Sequence, residues 1–150
     1  MRTVLLSAVA CCMLAWAGSA GAALITVHVF DSEFSVNPSG DPLVDPVINL
    51  GDTVEWVWDD ALLLHSTTSV TGSTESWDSG LHSTGFTFEH TFTQQGTFAY
   101  FCTLHGIDNG DGTASLMAGI ITVVPEPTSL ALVAIGGLAL TARRMRRDGR

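Results

Sequence analysis

The chain has 150 residues, 46% of them hydrophobic, with 15 acidic side chains against six Lys+Arg, a formal net charge of −9 and three cysteines. Only Glu126 and Asp148 of the 15 acids lie outside residues 23–125, so that stretch carries 13 acids and neither lysine nor arginine. Such a surface repels phosphate backbones and anionic membranes, which argues against nucleic-acid or membrane-surface partners and favours a basic protein partner or a salty medium.

Residues 1–22 read as an export signal. Arg2 gives a basic start, an apolar run fills residues 4–17, and Ala20-Gly21-Ala22 has the small-x-small pattern of a cleavage site. Cys11 and Cys12 leave with this segment, so Cys102 is the cysteine that remains. A lipoprotein reading of Ala10-Cys11 is less attractive because the apolar run before it is short.

From residue 24 the chain alternates short apolar-patterned runs with turn residues, as an all-β sandwich does. Strands are expected at 24–30 (LITVHVF), 34–36, 47–50 and 53–58. Residues 37–46 hold three prolines and form a loop. In 53–58 the residues Val54, Trp56 and Trp58 share one face, which implies an aromatic core. Residues 59–64 lead as a loop to His65, 66–70 return as a strand, and 71–83 form an irregular connection rich in Gly, Ser and Thr. Residues 85–93 alternate, with Phe86, Phe88, His90 and Phe92 on one side. In 97–102 the residues Phe98, Tyr100 and Cys102 share a face. Residues 106–116 read as a loop, and 118–124 (AGIITVV) as the last strand.

The stretch YFCTLHGIDNGDGTASLM (100–117) carries the chemistry. Cys102, His105 and Met117 offer a thiolate, an imidazole and a thioether, a donor set that suits copper better than magnesium or calcium. One more imidazole would complete a site, with His65 the best candidate and His82 its rival. Cys-x-x-His also occurs in zinc sites, but structural zinc sites use several thiolates and this stretch offers one. The competing readings are that Cys102 is a buried core cysteine, that His65 is an ordinary loop residue and that Met117 is core. His28 and His90 read as structural or surface residues. Asp108, Asn109 and Asp111 suggest a calcium loop, but Ile107 and Gly110 stand where oxygen donors are needed, so these residues read as turn chemistry.

The segments GDTVEWVW, HSTTSV, WDSGLHSTGFTFEHTF, QQGTFAYFCTLH and MAGIITV together resemble the cupredoxins of the plastocyanin/azurin type, over roughly three quarters of the domain. The resemblance implies a Greek-key β-sandwich with one mononuclear type 1 copper at one end, held by His65, Cys102, His105 and, weakly, Met117. Two departures stand out. Eleven residues separate His105 from Met117 where the family has a short loop, and Ser66 stands where plastocyanins commonly have an asparagine tying the ligand loops together.

The C-terminus, Val124-Pro125-Glu126-Pro127, an apolar run at 130–142 and then Arg143, Arg144, Arg146, Arg147 and Arg150, resembles a PEP-CTERM sorting signal. That resemblance implies recognition by an exosortase-type enzyme; the plainer reading is a C-terminal membrane anchor. The expected organisation is therefore a signal peptide (1–22), a copper-binding domain (23–124) and a sorting segment (125–150). The expected protein is an exported, monomeric electron carrier at the periplasm, cell surface or outside the cell, touching the membrane only through its tail. It meets a basic redox partner such as a cytochrome and is not an enzyme. The alternatives are a surface-displayed copper store and an adhesion sandwich with a vestigial site.

Overall fold

The computed structural model describes residues 21–126 together with Gly136, and within it Ala22–Pro125 forms one compact unit. Residues 1–20 of the export signal expected at 1–22 and, but for Gly136, the apolar run at 130–142 lie outside the described residues. Eight strands follow in order: β1 (Leu24–Phe30), β2 (Glu33–Ser35), β3 (Val47–Asn49), β4 (Thr53–Asp60), β5 (Thr68–Ser69), β6 (Thr87–Thr91), β7 (Gly96–Asp108) and β8 (Ala114–Val124). They form two four-stranded sheets, β2-β1-β4-β6 and β3-β8-β7-β5. The chain changes sheet at every step from β2 to β7, so Greek-key crossings between the sheets close the sandwich, with sequential antiparallel pairs at β1–β2 and β7–β8.

The period-2 pattern sets which face each strand buries. Along β4 the alternation is regular, and Val54, Trp56 and Trp58 are all fully buried. Val27 and Val29 of β1, and Phe98, Tyr100 and Cys102 of β7, meet them from both sheets in a single cluster. Aromatic contacts knit its centre: Trp56 lies 5.6 Å from Trp77 and 5.6 Å edge-on from Tyr100. Burying side chains of this size supplies roughly 1.5–3 kcal/mol each, which makes the inter-sheet core the main source of stability.

Two expectations need correction. Residues 106–116 are not a free loop. The β7–β8 ladder resumes after Gly106, with pairs Gly106↔Leu116, Ile107↔Ser115 and Asp108↔Ala114, so both strands run on as a projecting hairpin. The Asn, Gly and Asp residues that read as loop form only its tip. There the carboxylates serve the turn, Asp108 accepting from Gly110 N at 2.9 Å and Asp111 from Thr113 N at 3.0 Å. Conversely, the strand expected at 66–70 shrinks to the two residues of β5. On its N-terminal side a side chain takes the strand bond instead: Thr67 N donates to Ser79 Oγ at 2.9 Å.

Candidate metal centre

His65 is held from several sides although it lies in no named strand. Its backbone exchanges two hydrogen bonds with His82, N to O at 2.8 Å and O from N at 2.9 Å, and its carbonyl also accepts from Trp58 Nε1 at 3.1 Å. The imidazole is fully buried, and its Nε2 lies 3.1 Å from Asp31 Oδ1, in the turn between β1 and β2. The same carboxylate oxygen accepts from Leu63 N at 3.0 Å. The Leu63 amide, followed by the His65 ring, lowers the Asp31 carboxyl below its ordinary range. An ionised carboxylate can only accept, so the His65 ring carries its proton on Nε2 and turns the lone pair of Nδ1 inward.

The opposite bank is β7. Its pairing with β8 is interrupted between Phe101 and Gly106, so residues 102–105 bulge out of the ladder. A bulge re-aims side chains that would otherwise alternate. Cys102 Sγ and His105 Nδ1 consequently lie 3.6 Å apart. Gly106 closes the bulge. A Cβ there would stand 2.4 Å from the Met117 carbonyl oxygen and 3.0 Å from that of Cys102, so no larger residue fits without moving a strand. Met117 is the β8 residue between the partners of Phe101 and Gly106, which sets it opposite the bulge, and it is 2% exposed.

The two banks meet in a triangle. Cys102 Sγ is 3.7 Å from His65 Nδ1, and the two imidazole Nδ1 atoms are 3.0 Å apart. Sides of 3.0, 3.6 and 3.7 Å place one point about 2.0 Å from all three atoms, close to the bond lengths of a first-row metal ion to imidazole and thiolate. A sulfur and two imidazole nitrogens converging on one point are a donor set that fits a metal such as zinc or copper. Among the described residues this is the one group of three His, Cys or acidic side chains that could hold an ion.

Ser66 joins the banks. Its amide donates to Cys102 Sγ at 3.5 Å, and its hydroxyl accepts from Thr103 N at 3.0 Å. The Ser66 hydroxyl therefore makes the loop-to-loop bond expected of an asparagine. His82, the rival ligand, turns its ring away: Nε2 bonds to Ser79 O at 2.9 Å and the ring stacks on Phe86 at 3.4 Å. His28 pairs with Asp59, and His90 with Glu75 at 3.2 Å. Asp31 and Gly106 escaped the sequence reading. The Asp31 contact spans 34 residues and carries no local signal, whereas Gly106 directly follows the Cys-x-x-His segment and a closer weighing of that position could have found it.

The fold has a clear likeness among solved structures. A copper-containing nitrite reductase from Thermus scotoductus SA-01 superposes with a TM-score of 0.50 at 23% identity, over 68% of this chain and 22% of that one. The domain has the cupredoxin fold. The chain spans only about a fifth of the reductase, so the likeness concerns the fold alone. A purple cupredoxin from Nitrosopumilus maritimus is similar at 26% identity (66% of this chain, 98% of that one, TM-score 0.46). An amicyanin from Paracoccus versutus is similar at 20% identity (72% and 88%, TM-score 0.47). No curated protein matches the sequence. The PEP-CTERM protein-sorting motif matches residues 123–147. This cupredoxin-fold domain thus precedes a C-terminal sorting segment of an exported protein, and among the described residues no helix is long and apolar enough to cross a membrane.

Proposed function

We propose that the domain is an exported carrier of single electrons that holds one copper ion in a type 1 site, with His65 Nδ1, Cys102 Sγ and His105 Nδ1 as its principal ligands and Met117 as a weak axial one. The observation that carries this reading is the triangle of one sulfur and two nitrogens around a common point about 2.0 Å from each. A copper ion held by these residues would supply one-electron chemistry between Cu(I) and Cu(II), the Cys102 thiolate and Met117 thioether favouring the reduced ion and the two imidazoles accepting both.

The chain's own residues do the rest. Asp31 and the His82 backbone fix the His65 ring, and the Ser66 amide points a partial positive charge at Cys102 Sγ. His105 is half-buried and offers the route to the surface. Next to the two histidines lie exposed leucines, Leu62, Leu63 and Leu64 before His65 and Leu104 before His105. The His65 and His105 rings are 4.7 Å apart, so the two segments that bear these leucines meet at one end of the domain. An apolar patch there, on a domain with 13 acids and no Lys or Arg, fits transient docking to a basic redox protein whose approach is steered by charge.

The reading includes removal of residues 1–22 on export, recognition of the tail by an exosortase-type enzyme, a monomeric domain and no catalysis by the domain alone. The visible and EPR spectra of the copper-loaded protein, beside a Cys102→Ala variant, test it. An intense thiolate-to-copper band with narrow hyperfine splitting, absent from the variant, is expected. A colourless protein, or equal copper binding by the variant, overturns it.

A further inference from the structure

Ala23 is a fixed point where the chain enters the sandwich. Its nitrogen donates to Asp52 Oδ1 at 2.7 Å, and its carbonyl accepts from Thr53 N at 2.8 Å. Asp52 is 3% exposed, and its second carboxylate oxygen accepts from Asn49 N at 2.7 Å. Its main chain ties down two further places, donating to Asn49 O at 3.1 Å and accepting from Phe92 N at 3.0 Å. An acidic side chain so deeply buried ordinarily has a cationic partner. Residues 23–125 contain no Lys or Arg to provide one. Just upstream, Gly21 and Ala22 are exposed and belong to no strand, the state in which a protease can grip a chain.

We propose that export cuts the chain between Ala22 and Ala23 and that the new α-ammonium group of Ala23 is the cation Asp52 lacks. The step is hydrolysis by a protease of the signal-peptidase class. Water adds across the peptide bond, the Ala22 carbonyl carbon takes the hydroxyl to become a carboxylate, and the Ala23 nitrogen takes the proton and leaves as an amine, protonated at neutral pH. The existing N···O separation of 2.7 Å already has the length of a charge-assisted hydrogen bond. Cleavage thus converts a neutral donor into a cation in place. A cut one residue upstream leaves an amide at Asp52, and one residue downstream removes the donor. The ion pair at this corner, where β1, the β3–β4 turn and the residue following β6 meet, therefore exists only in the processed protein. Maturation locks a fold that the precursor holds less tightly.

The proposal rests on the export reading, and one set of measurements separates the two. The full chain is exported from a bacterial host, and the N-terminus of the product is read by mass spectrometry. The sequence has no lysine, so acetylation modifies the α-amine as its one primary amine. Denaturant unfolding is then compared before and after acetylation, in the natural protein and in Asp52→Asn. The expected product begins at Ala23. Acetylation is expected to lower its folding equilibrium constant about tenfold, one pKa unit of differential interaction, and to leave Asp52→Asn unchanged. A variant that retains Ala22 and starts there should show the same tenfold loss, which decides the matter if Asp52→Asn does not fold. A product that keeps residues 1–22 overturns the export reading itself. A product starting elsewhere, or one starting at Ala23 whose stability is indifferent to acetylation, overturns the ion pair alone.

Discussion

The connection that carries His65 (residues 61–86) and the β7–β8 hairpin that carries Cys102, His105 and Met117 reach the same point by opposite means. The hairpin is a backbone ladder with one four-residue interruption, and its geometry is set by pairing and by the missing side chain at Gly106. The connection has only the two residues of β5 as named strand, and side chains hold it together with isolated backbone bonds such as the His65–His82 pair: Trp77 Nε1 on Thr67 Oγ1 at 2.9 Å, Thr67 N on Ser79 Oγ, and Asp31 on Leu63 N and His65. One bank of the site is regular and sterically exact; the other is irregular and polar. Substitutions in the hairpin should therefore act through packing and the ligand sulfur. Those in the connection should act through lost hydrogen bonds and show a dependence on pH.

The largest effect is expected at Cys102. Cys102→Ala should abolish the visible band and weaken copper by more than about 100-fold, beyond the loss typical of residues behind the ligands; titration with Cu(II) followed by absorbance measures both. Gly106→Ala comes next, because its Cβ meets the carbonyl oxygens of Met117 and Cys102 on the two strands of the hairpin. A loss of roughly 1–3 kcal/mol is expected, the usual range for overpacking, together with a shifted copper spectrum. If denaturant unfolding shows Gly106→Ala to be neutral, the hairpin is more compliant than its ladder implies.

In the connection, Glu75 is 6% exposed and accepts from Thr93 N at 2.7 Å, from Thr93 Oγ1 at 2.9 Å and from His90. Burial pushes its carboxyl up, but the donors at Thr93 and His90 outweigh it, so its pKa lies below the ordinary 4.5. A lowered folded-state pKa contributes stability above the unfolded value that is lost as pH falls through the folded one. Glu75→Gln should therefore cost roughly 1–3 kcal/mol near neutral pH, with the difference closing in acid below pH 4.5 and the copper spectrum unchanged. Unfolding curves of both proteins at several pH values check this. The smallest effect is expected for Asp31→Asn, which keeps an acceptor for Leu63 N but removes the charge beside His65. Copper affinity should fall by about tenfold, the low end for residues that orient a ligand, with the fold intact. An unchanged affinity would mean that the His82 backbone pair alone orients the ring.

The same contrast explains how much was legible. Cys102, His105 and Met117 sit on one segment, and the alternation of Phe98, Tyr100 and Cys102 states which way the sulfur points, so the hairpin bank could be read locally. The aromatic face of β4 was legible for the same reason. The projecting hairpin was misread because DNGDGT fills its tip with turn residues, while the pairs at Gly106, Ile107 and Asp108 depend on partners across the ladder. Asp31 was missed because nothing near it in sequence marks a contact with His65. Strand β5 was overestimated because Ser79 takes a backbone bond that a strand would need. Local periodicity reports what the backbone decides; contacts made by polar side chains over long separations leave no period.

The clasp at Ser66 has a consequence for how the centre is filled. Its hydroxyl holds Thr103 N, and the backbone of His65 is bonded to His82 and Trp58, none of which needs an ion. These bonds lie within the protein and would hold the loops bearing His65 and Cys102 whether or not an ion is bound. If the proposed copper site is right, loading would be governed by passage at the half-buried ring of His105 rather than by folding, and amide exchange along residues 63–68 should be as slow in the empty protein as in the filled one.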